Sequence, residues 1–409
     1  MSKLAGSGVS LGFSGDGANA NDALLYNPYA TAVDKMGNVY IADYLNHRIR
    51  KIDTLGIITT IAGSGTISGY AGDGALATNA LLNSPNAIVV DTLGNIYFTE
   101  LKNNCVRKVN TSGIISTHNN TINNPSAICI DKNQNLYVAD YLNHQIKKID
   151  VLGNITVVAG NGTIGFGGDG LLAINAQLNY PEGVAADVLG NIYVSDTQNK
   201  RIRKVATDGV ITTVAGNGNS GFSGDGALAI GAELNTPRGI TCDTLGNVYF
   251  ADSNNNRIRK VDAQGNITTI LGEIGLSESV ELSIPIGVSL DAKGNLYIAD
   301  TFNSAVQKLT APITPTEETT AIKSTIENTN GIVVYPNPTM GEITIRATNN
   351  SIENIKVYNV FAQEVGVKFI EKQANVFKLD ISEDATGLYF VHTKTDLKTE
   401  ITKINLVKR

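Results

Sequence analysis

The stretch Pro237-Arg238-Gly239-Ile240-Thr241-Cys242-Asp243-Thr244-Leu245-Gly246-Asn247-Val248-Tyr249-Phe250-Ala251-Asp252 decides the fold. A proline opens it, a small residue follows, and an apolar run leads to an aspartate. Gly246-Asn247 then turns the chain into an apolar–Tyr–apolar run. Two such runs joined by a Gly-Asn turn predict an antiparallel hairpin. Working outward, Arg257–Val261 and Asn266–Leu271 follow around Gly265, so four short strands fill one unit. The pattern recurs along the chain. Its tyrosines are Tyr40, Tyr97, Tyr137, Tyr193, Tyr249 and Tyr297, spaced by 57, 40, 56, 56 and 48 residues. Its prolines are Pro28, Pro85, Pro125, Pro181, Pro237 and Pro285. Four strands in about 40 residues, six times over, predict an all-β chain built on a six-bladed β-propeller.

The ends refine this reading. Unit six offers Ile286–Leu290, Asn295–Ala299 and Ala305–Leu309 but no fourth strand. Leu4-Ala5-Gly6 matches the close of a fourth strand at Ile61-Ala62-Gly63, so the N-terminus is expected to supply the outer strand of the last blade. No signal peptide opens the chain, and the natural N-terminus is expected to lie upstream. Residues 1–310 are thus the propeller and 311–328 a Thr/Pro/Glu-rich linker. Residues 329–409, with runs at Ile343–Ala347, Ile355–Val360, Val376–Ile381, Leu388–His392 and Glu400–Val407, suit a small β-sandwich.

Composition excludes several function classes. The 409 residues carry a net charge of −6, and residues 1–310 hold 21 basic against 26 acidic side chains. Nucleic-acid binding needs phosphate neutralisation, which this balance does not favour. No run of 18 apolar residues suggests a membrane span. Cys105, Cys129 and Cys242 are scattered and form no metal-binding spacing, so they read as small buried hydrophobes. His47, His118 and His144 are too few and too dispersed for a catalytic zinc site, and no cofactor motif is present.

The third strands carry a further resemblance. Asn46-His47-Arg48-Ile49-Arg50-Lys51, Asn199-Lys200-Arg201-Ile202-Arg203-Lys204 and Asn255-Asn256-Arg257-Ile258-Arg259-Lys260 follow Ala42-Asp43, Ser195-Asp196 and Ala251-Asp252. These units resemble NHL repeats; Glu100 with Cys105-Val106-Arg107, and Ala305-Val306-Gln307, depart from the pattern. The resemblance implies a six-bladed propeller and little about chemistry, since that family includes RNA binders, protein binders, sensor ectodomains and lyases. The C-terminal region resembles the type A sorting domain of the Bacteroidetes type IX (Por) secretion system. The matching residues are Tyr335-Pro336-Asn337-Pro338, Gly341, Gly387-Leu388-Tyr389-Phe390-Val391 and Lys403-Ile404. That implies export by the type IX machinery to the cell surface or the medium.

Three constellations are candidates for function. Asp43, Asp140, Asp196, Asp252 and Asp300 each precede an Asn by three residues; recurrence in nearly every unit points to Asx-type turns rather than a ligand ring. Four linkers share an insertion, as in Gly12-Phe13-Ser14-Gly15-Asp16-Gly17 and Gly165-Phe166-Gly167-Gly168-Asp169-Gly170. One carboxylate per loop falls short of a Ca²⁺ site. The insertions read as structural loops whose aromatic plugs between blades, on the same face as the Asp-x-x-Asn loops. The asymmetric positions are more informative. Tyr29, Asn86, Ser126, Glu182, Arg238 and Ile286 follow the six prolines and should ring the channel mouth, with Glu182 and Arg238 paired on adjacent blades. Tyr44, Tyr141 and Phe302 add aromatics at loop tips on that face. Convergent polar groups at a cavity are the usual place of function. The expectation is a secreted or surface-displayed, non-enzymatic binding module for a protein, peptide or glycan, with Tyr29, Asn86, Ser126, Glu182 and Arg238 contacting the ligand. The alternative is a surface lyase or hydrolase at the same mouth.

Overall fold

The computed structural model describes residues 1–7, 10–65, 67–272 and 281–310, and then eight strands between residues 332 and 406. It divides into two compact units, Met1–Thr314 and Pro315–Arg409. The first is a six-bladed propeller of four-stranded antiparallel sheets. Blade one runs outward from the channel as Pro28–Val33, Val39–Asp43, Arg48–Ile52 and Ile58–Ala62. Blade six combines Val288–Leu290, Leu296–Asp300 and Ala305–Leu309 with Ser2–Ala5 from the other end of the chain. Ser2 pairs with Lys308 and Ala5 with Val306.

The repeated Asp-x-x-Gly-Asn-x-Tyr string has one physical cause. Asp243 Oδ1 accepts the backbone N–H of Leu245 and Asn247, both at 2.9 Å. Its Oδ2 accepts the Asn247 amide at 2.7 Å and the Tyr249 hydroxyl at 3.0 Å. One carboxylate therefore fixes the turn between the first two strands and anchors the tyrosine of the second. Blade three lacks the glycine, and Gln134 adopts the left-handed conformation in its place at φ 66°.

The core lies between blades. Ala77, Ala80 and Leu82 of one insertion pack with Ile49 and Ala62 of blade one and with Ile88, Phe98 and Ile115 of blade two. Ala173, Ala176, Leu178 and Ala229, Ala232, Leu234 do the same further round the ring. Each such Leu contributes about 2 kcal/mol through burial. These Ala-Ala-Leu triplets plug between blades; the insertion aromatics do not, which corrects the sequence reading. Phe166 lies instead under the guanidinium of Arg201, 3.7 Å from its centroid, with Arg203 at 4.9 Å. A small-residue wedge fits the narrow inter-blade space, whereas an aromatic face suits a cation.

The insertion aspartate has a partner too. Arg203 is wholly buried and bridges Asp169 at 2.7 Å to Asp196 at 3.1 Å. Arg50, Arg107 and Arg259 bridge Asp16 to Asp43, Asp73 to Glu100, and Asp225 to Asp252. The two blades without this insertion lack the arginine: Lys147 meets Asp140, and Gln307 meets Asp300 at 3.2 Å. The Asp-x-x-Asn pairs form no side-chain Asx cap on their own turns, a second correction. Asp196 reaches 17 residues back to accept the Asn179 N–H at 2.8 Å, and Asn199 donates to Asp196 and to the Gly165 carbonyl of the insertion. A buried carboxylate facing an arginine gains more from tying the incoming linker to the strand than from capping a solvated turn.

A second latch joins neighbouring blades. After each loop between second and third strands, a residue such as His47, Asn104, His144 or Asn256 sits at positive φ. His47 Nδ1 accepts the Ser84 N–H at 3.1 Å, and His144 Nδ1 accepts the Tyr180 N–H at 3.2 Å. Asn104 and Asn256 do this through their amide oxygens, both at 2.8 Å. Burial holds both histidine pKa values below the ordinary value; Arg48 adds to the shift at His47, and Asp140 opposes it at His144. The latch needs a neutral ring. A depressed folded-state pKa means the stabilisation is complete above pH about 6.5 and is lost as the pH falls through the folded values. We expect His47→Asn/His144→Asn to match the parent at pH 7.5 and to unfold at higher urea than the parent at pH 5. Equal pH slopes for the two proteins would refute the latch.

The second unit has two four-stranded sheets. One holds Ile332–Tyr335, Glu342–Ala347, Val376–Asp380 and Lys368–Gln373. The other holds Glu364–Val365, Ile352–Asn359, Gly387–Thr395 and Thr399–Leu406. Tyr335, Gly387, Tyr389 and Lys403 lie in strands, whereas Pro336, Asn337, Pro338 and Gly341 lie outside the described residues.

Candidate functional site

Local register puts the residues after the prolines at the mouth. In blade one Pro28 pairs with Asp43 but Ala30 with Ala42, leaving Tyr29 as a bulge. Asn86, Ser126 and Glu182 are bulged in the same way, and in blade five the shift falls between Pro237 and Ile240. A bulged residue is released from the pleat and re-aimed. Four of them, Tyr29, Asn86, Ser126 and Glu182, line a cavity of about 70 Å³ at the top of the channel. A wider cavity of about 260 Å³ lies lower, lined in part by Cys129 and Cys242. Burial pushes the Cys242 thiol up to about 12 and raises Cys129 well above the ordinary thiol value, so both are inert thiols.

Half of the ring is drawn in by glycine. A Cβ on Gly183 would stand 2.3 Å from the Arg238 carbonyl, and one on Gly239 2.3 Å from the Ile286 carbonyl. One on Gly287 would stand 2.5 Å from the Tyr29 carbonyl. Blades one to three carry Ala30, Ala87 and Ala127 at this place. The inner strands of blades four, five, six and one therefore approach closely, and Gly239 N–H bonds directly to the Ile286 carbonyl at 2.9 Å. That contraction gathers Glu182, Arg238 and Tyr29.

The residues ringing the mouth divide into two groups. Asn86 donates to the Ser126 carbonyl at 2.8 Å and accepts from the Thr99 hydroxyl, and Ser126 donates to the Pro181 carbonyl at 2.8 Å. Their polar groups are spent joining blades. Glu182 and Arg238 instead pair with each other, Oε2 to Nε at 3.0 Å, with side chains 19% and 25% exposed. Tyr29 stacks on Tyr44 at 4.0 Å between centroids, and Tyr141 packs on Tyr180 at 4.8 Å. Burial raises the Tyr29 pKa; Tyr44 adds to it, Arg238 lowers it and Glu182 raises it. Burial raises Tyr141 too, with Glu182 and Tyr180 adding and Arg238 opposing. Both phenols thus lie within electrostatic reach of the ion pair. Burial also raises the Glu182 pKa, against the pull of Arg238.

The loop position of Tyr44 and Tyr141 is held in blades four to six by Thr197, Ser253 and Thr301, whose hydroxyls bond the proline carbonyl of the next blade at 2.6–2.8 Å. Tyrosine replaces that tie with an aromatic wall. Phe302 is 55% exposed and stacks on none of these rings. Tyr180, which sequence reasoning missed, precedes its proline at φ 50°. The signal was present, because Asn27, Ser84, Asn124, Thr236 and Ile284 fill the same place and Tyr180 alone is aromatic. Among the described residues no three His, Cys, Asp or Glu side chains are grouped to hold a metal ion.

Comparison with known proteins locates the chain. Residues 333–407 match the secretion system C-terminal sorting domain, named for Por secretion. Residues 11–71, 154–223 and 217–284 match the teneurin NHL domain, and 123–149 match the NHL repeat. Human teneurin-4 is 31% identical over 273 residues, covering 60% of this chain and 8% of teneurin-4. The chain therefore spans less than a tenth of that relative. A structural genomics protein of unknown function from Bacteroides thetaiotaomicron VPI-5482 superposes with a TM-score of 0.57 at 20% identity, over 75% of this chain and 74% of that one. An auxiliary nutrient binding protein from the same organism gives 0.57 at 16%, over 75% of each. Both likenesses are of fold. The chain is an NHL-repeat six-bladed β-propeller followed by a Por secretion-system C-terminal sorting domain.

Proposed function

We propose that the propeller is a non-enzymatic binding module, displayed at the bacterial cell surface or released, that takes a peptide, protein or glycan at the mouth formed by Tyr29, Tyr44, Tyr141, Tyr180, Glu182 and Arg238. The sorting domain marks the chain for secretion; engagement of the type IX machinery by its Tyr335, Gly387, Tyr389 and Lys403 strands belongs to the same reading. One observation carries the assignment of the mouth. Among the described residues the other ion pairs of the propeller close within single blades and their insertions, whereas Glu182–Arg238 spans two blades at the channel opening among four tyrosines. The test is a thermal-shift panel on the full chain with glycans, peptides, Ca²⁺, Zn²⁺ and EDTA. A ligand at 100 times its Kd adds about 2.7 kcal/mol of stability. We expect a shift that disappears in Tyr29→Ala and Glu182→Ala. A shift that survives in both variants places binding elsewhere.

The raised Glu182 pKa is the observation that favours a lyase or hydrolase, because burial shifts the carboxyl in the direction that general acid or base work requires. Turnover of any panel ligand, lost in Glu182→Gln with binding retained, would establish that reading.

A further inference from the structure

The ligand class can be read from which groups at the mouth still need partners. Among the described arginines of the propeller, Arg238 is the one from which neither terminal nitrogen donates a hydrogen bond. Arg48, Arg201 and Arg257 donate to backbone carbonyls, and the four bridging arginines reach carboxylates. Even Arg238 Nε, facing Glu182, lacks a well-aligned acceptor. The hydroxyls of Tyr29, Tyr44, Tyr141 and Tyr180 make no hydrogen bond either, unlike those of Tyr40 and Tyr249. The mouth therefore presents a guanidinium edge and four phenols against a single carboxylate.

We infer that this mouth takes a carboxylated saccharide, a uronic acid or its like, with Arg238 on the carboxylate; this rests on the mouth being the binding site. A phenol both gives and takes a hydrogen bond, so four of them suit a ligand rich in hydroxyls, and a half-buried guanidinium with unengaged terminal nitrogens calls for an anion. Glu182 at 3.0 Å narrows the choice. It repels a phosphate dianion but tolerates a monoanion seated on the outer edge of the guanidinium. It also supplies the acceptor that a sugar hydroxyl needs. The stacked Tyr29–Tyr44 pair and the Tyr141–Tyr180 pair offer ring surfaces to the C–H face of a pyranose. The cavity beneath, about 70 Å³, admits a hydroxyl or hydroxymethyl group while the ring stays above.

Calorimetric titration of the full chain with glucuronate, galacturonate, glucose, galactose and the dipeptide Ala-Ala tests this. We expect a uronate to bind about tenfold or more tightly than its neutral sugar, the order of one charge-assisted contact. Arg238→Gln should erase the difference in protein whose melting curve shows it still folded, and Arg238→Lys should restore part of it. Equal binding of acid and neutral sugars, or uronate binding unchanged in Arg238→Gln, overturns the inference. Binding of glucose or the dipeptide alone, lost in Tyr29→Ala, overturns it while leaving the mouth a binding site. No binding by any probe overturns it outright, and the broader panel above then decides the mouth.

Discussion

Arg203→Met will destabilise the propeller by about 3–5 kcal/mol, the usual cost of removing one partner from a buried charge pair. Arg203 is wholly buried and, among the described residues, is the cation in ion-pair contact with Asp196, itself fully buried. Methionine fills the volume but leaves that carboxylate uncompensated. Burial already holds the Asp196 pKa above its ordinary value, against the pull of Asn199, the Asn179 N–H and Arg203. Without the guanidinium it will rise further. A carboxyl whose folded pKa is raised stays neutral, at no cost, below its unfolded pKa, and the penalty grows as the pH rises towards the folded value. The deficit should therefore be larger at pH 8 than at pH 5 in urea unfolding. Arg203→Gln should cost markedly less, because blade six satisfies Asp300 through Gln307. Deficits below 1 kcal/mol for both variants would mean that the bridge contributes only registration.

Gly216→Ala should cost about 3 kcal/mol or more. Gly216 sits at φ 92° just after the outer strand of blade four, and an added Cβ would stand 2.1 Å from the Lys200 carbonyl. The residue must supply both the left-handed conformation and the empty space. Gly226, at φ 80° with nothing within 4 Å, isolates the first factor. Gly226→Ala should cost about 1 kcal/mol. Similar losses for the two variants would show that the neighbouring loop yields. The same steric lock recurs at Gly63, Gly160 and Gly272, where an added Cβ would stand within 2.3 Å of the carbonyl of the left-handed latch residue.

Much of this architecture was legible because the repeat writes it six times. The proline, the Asp-x-x-Gly-Asn turn and the tyrosine each serve local geometry, and local geometry is what a spacing encodes. The partner of the insertion aspartate was not legible locally, because it lies far along the chain. Yet Asp16 and Arg50, Asp73 and Arg107, Asp169 and Arg203, and Asp225 and Arg259 are all 34 residues apart, and both members are missing where Lys147 and Gln307 stand. That coincidence was readable. The Asx reading failed because an Asp before a turn looks the same whether it caps that turn or reaches back across the sheet. At the mouth, the positions after the prolines were legible as a ring. What was not legible is that Asn86 and Ser126 are consumed by the neighbouring blade, which depends on the distance between strands rather than on their order. Tyr180 was missed because the residue before a proline was treated as linker.

The last blade has a consequence for how the molecule comes into being. Its sheet joins Ser2–Ala5 to Ala305–Leu309, so no chain can finish the ring until some 300 residues have been assembled. Closing so long a loop is thermodynamically mild, since each doubling of length adds only about 0.6 kcal/mol, but it is a slow search and the final event. Until it happens, the third strand of that blade is a bare β-edge, open to any other strand. Loss of a few residues from either end of this segment leaves the same unpaired ladder. A circle stitched from two segments some 300 residues apart thus keeps its sticky edge hidden only while both of them are in place.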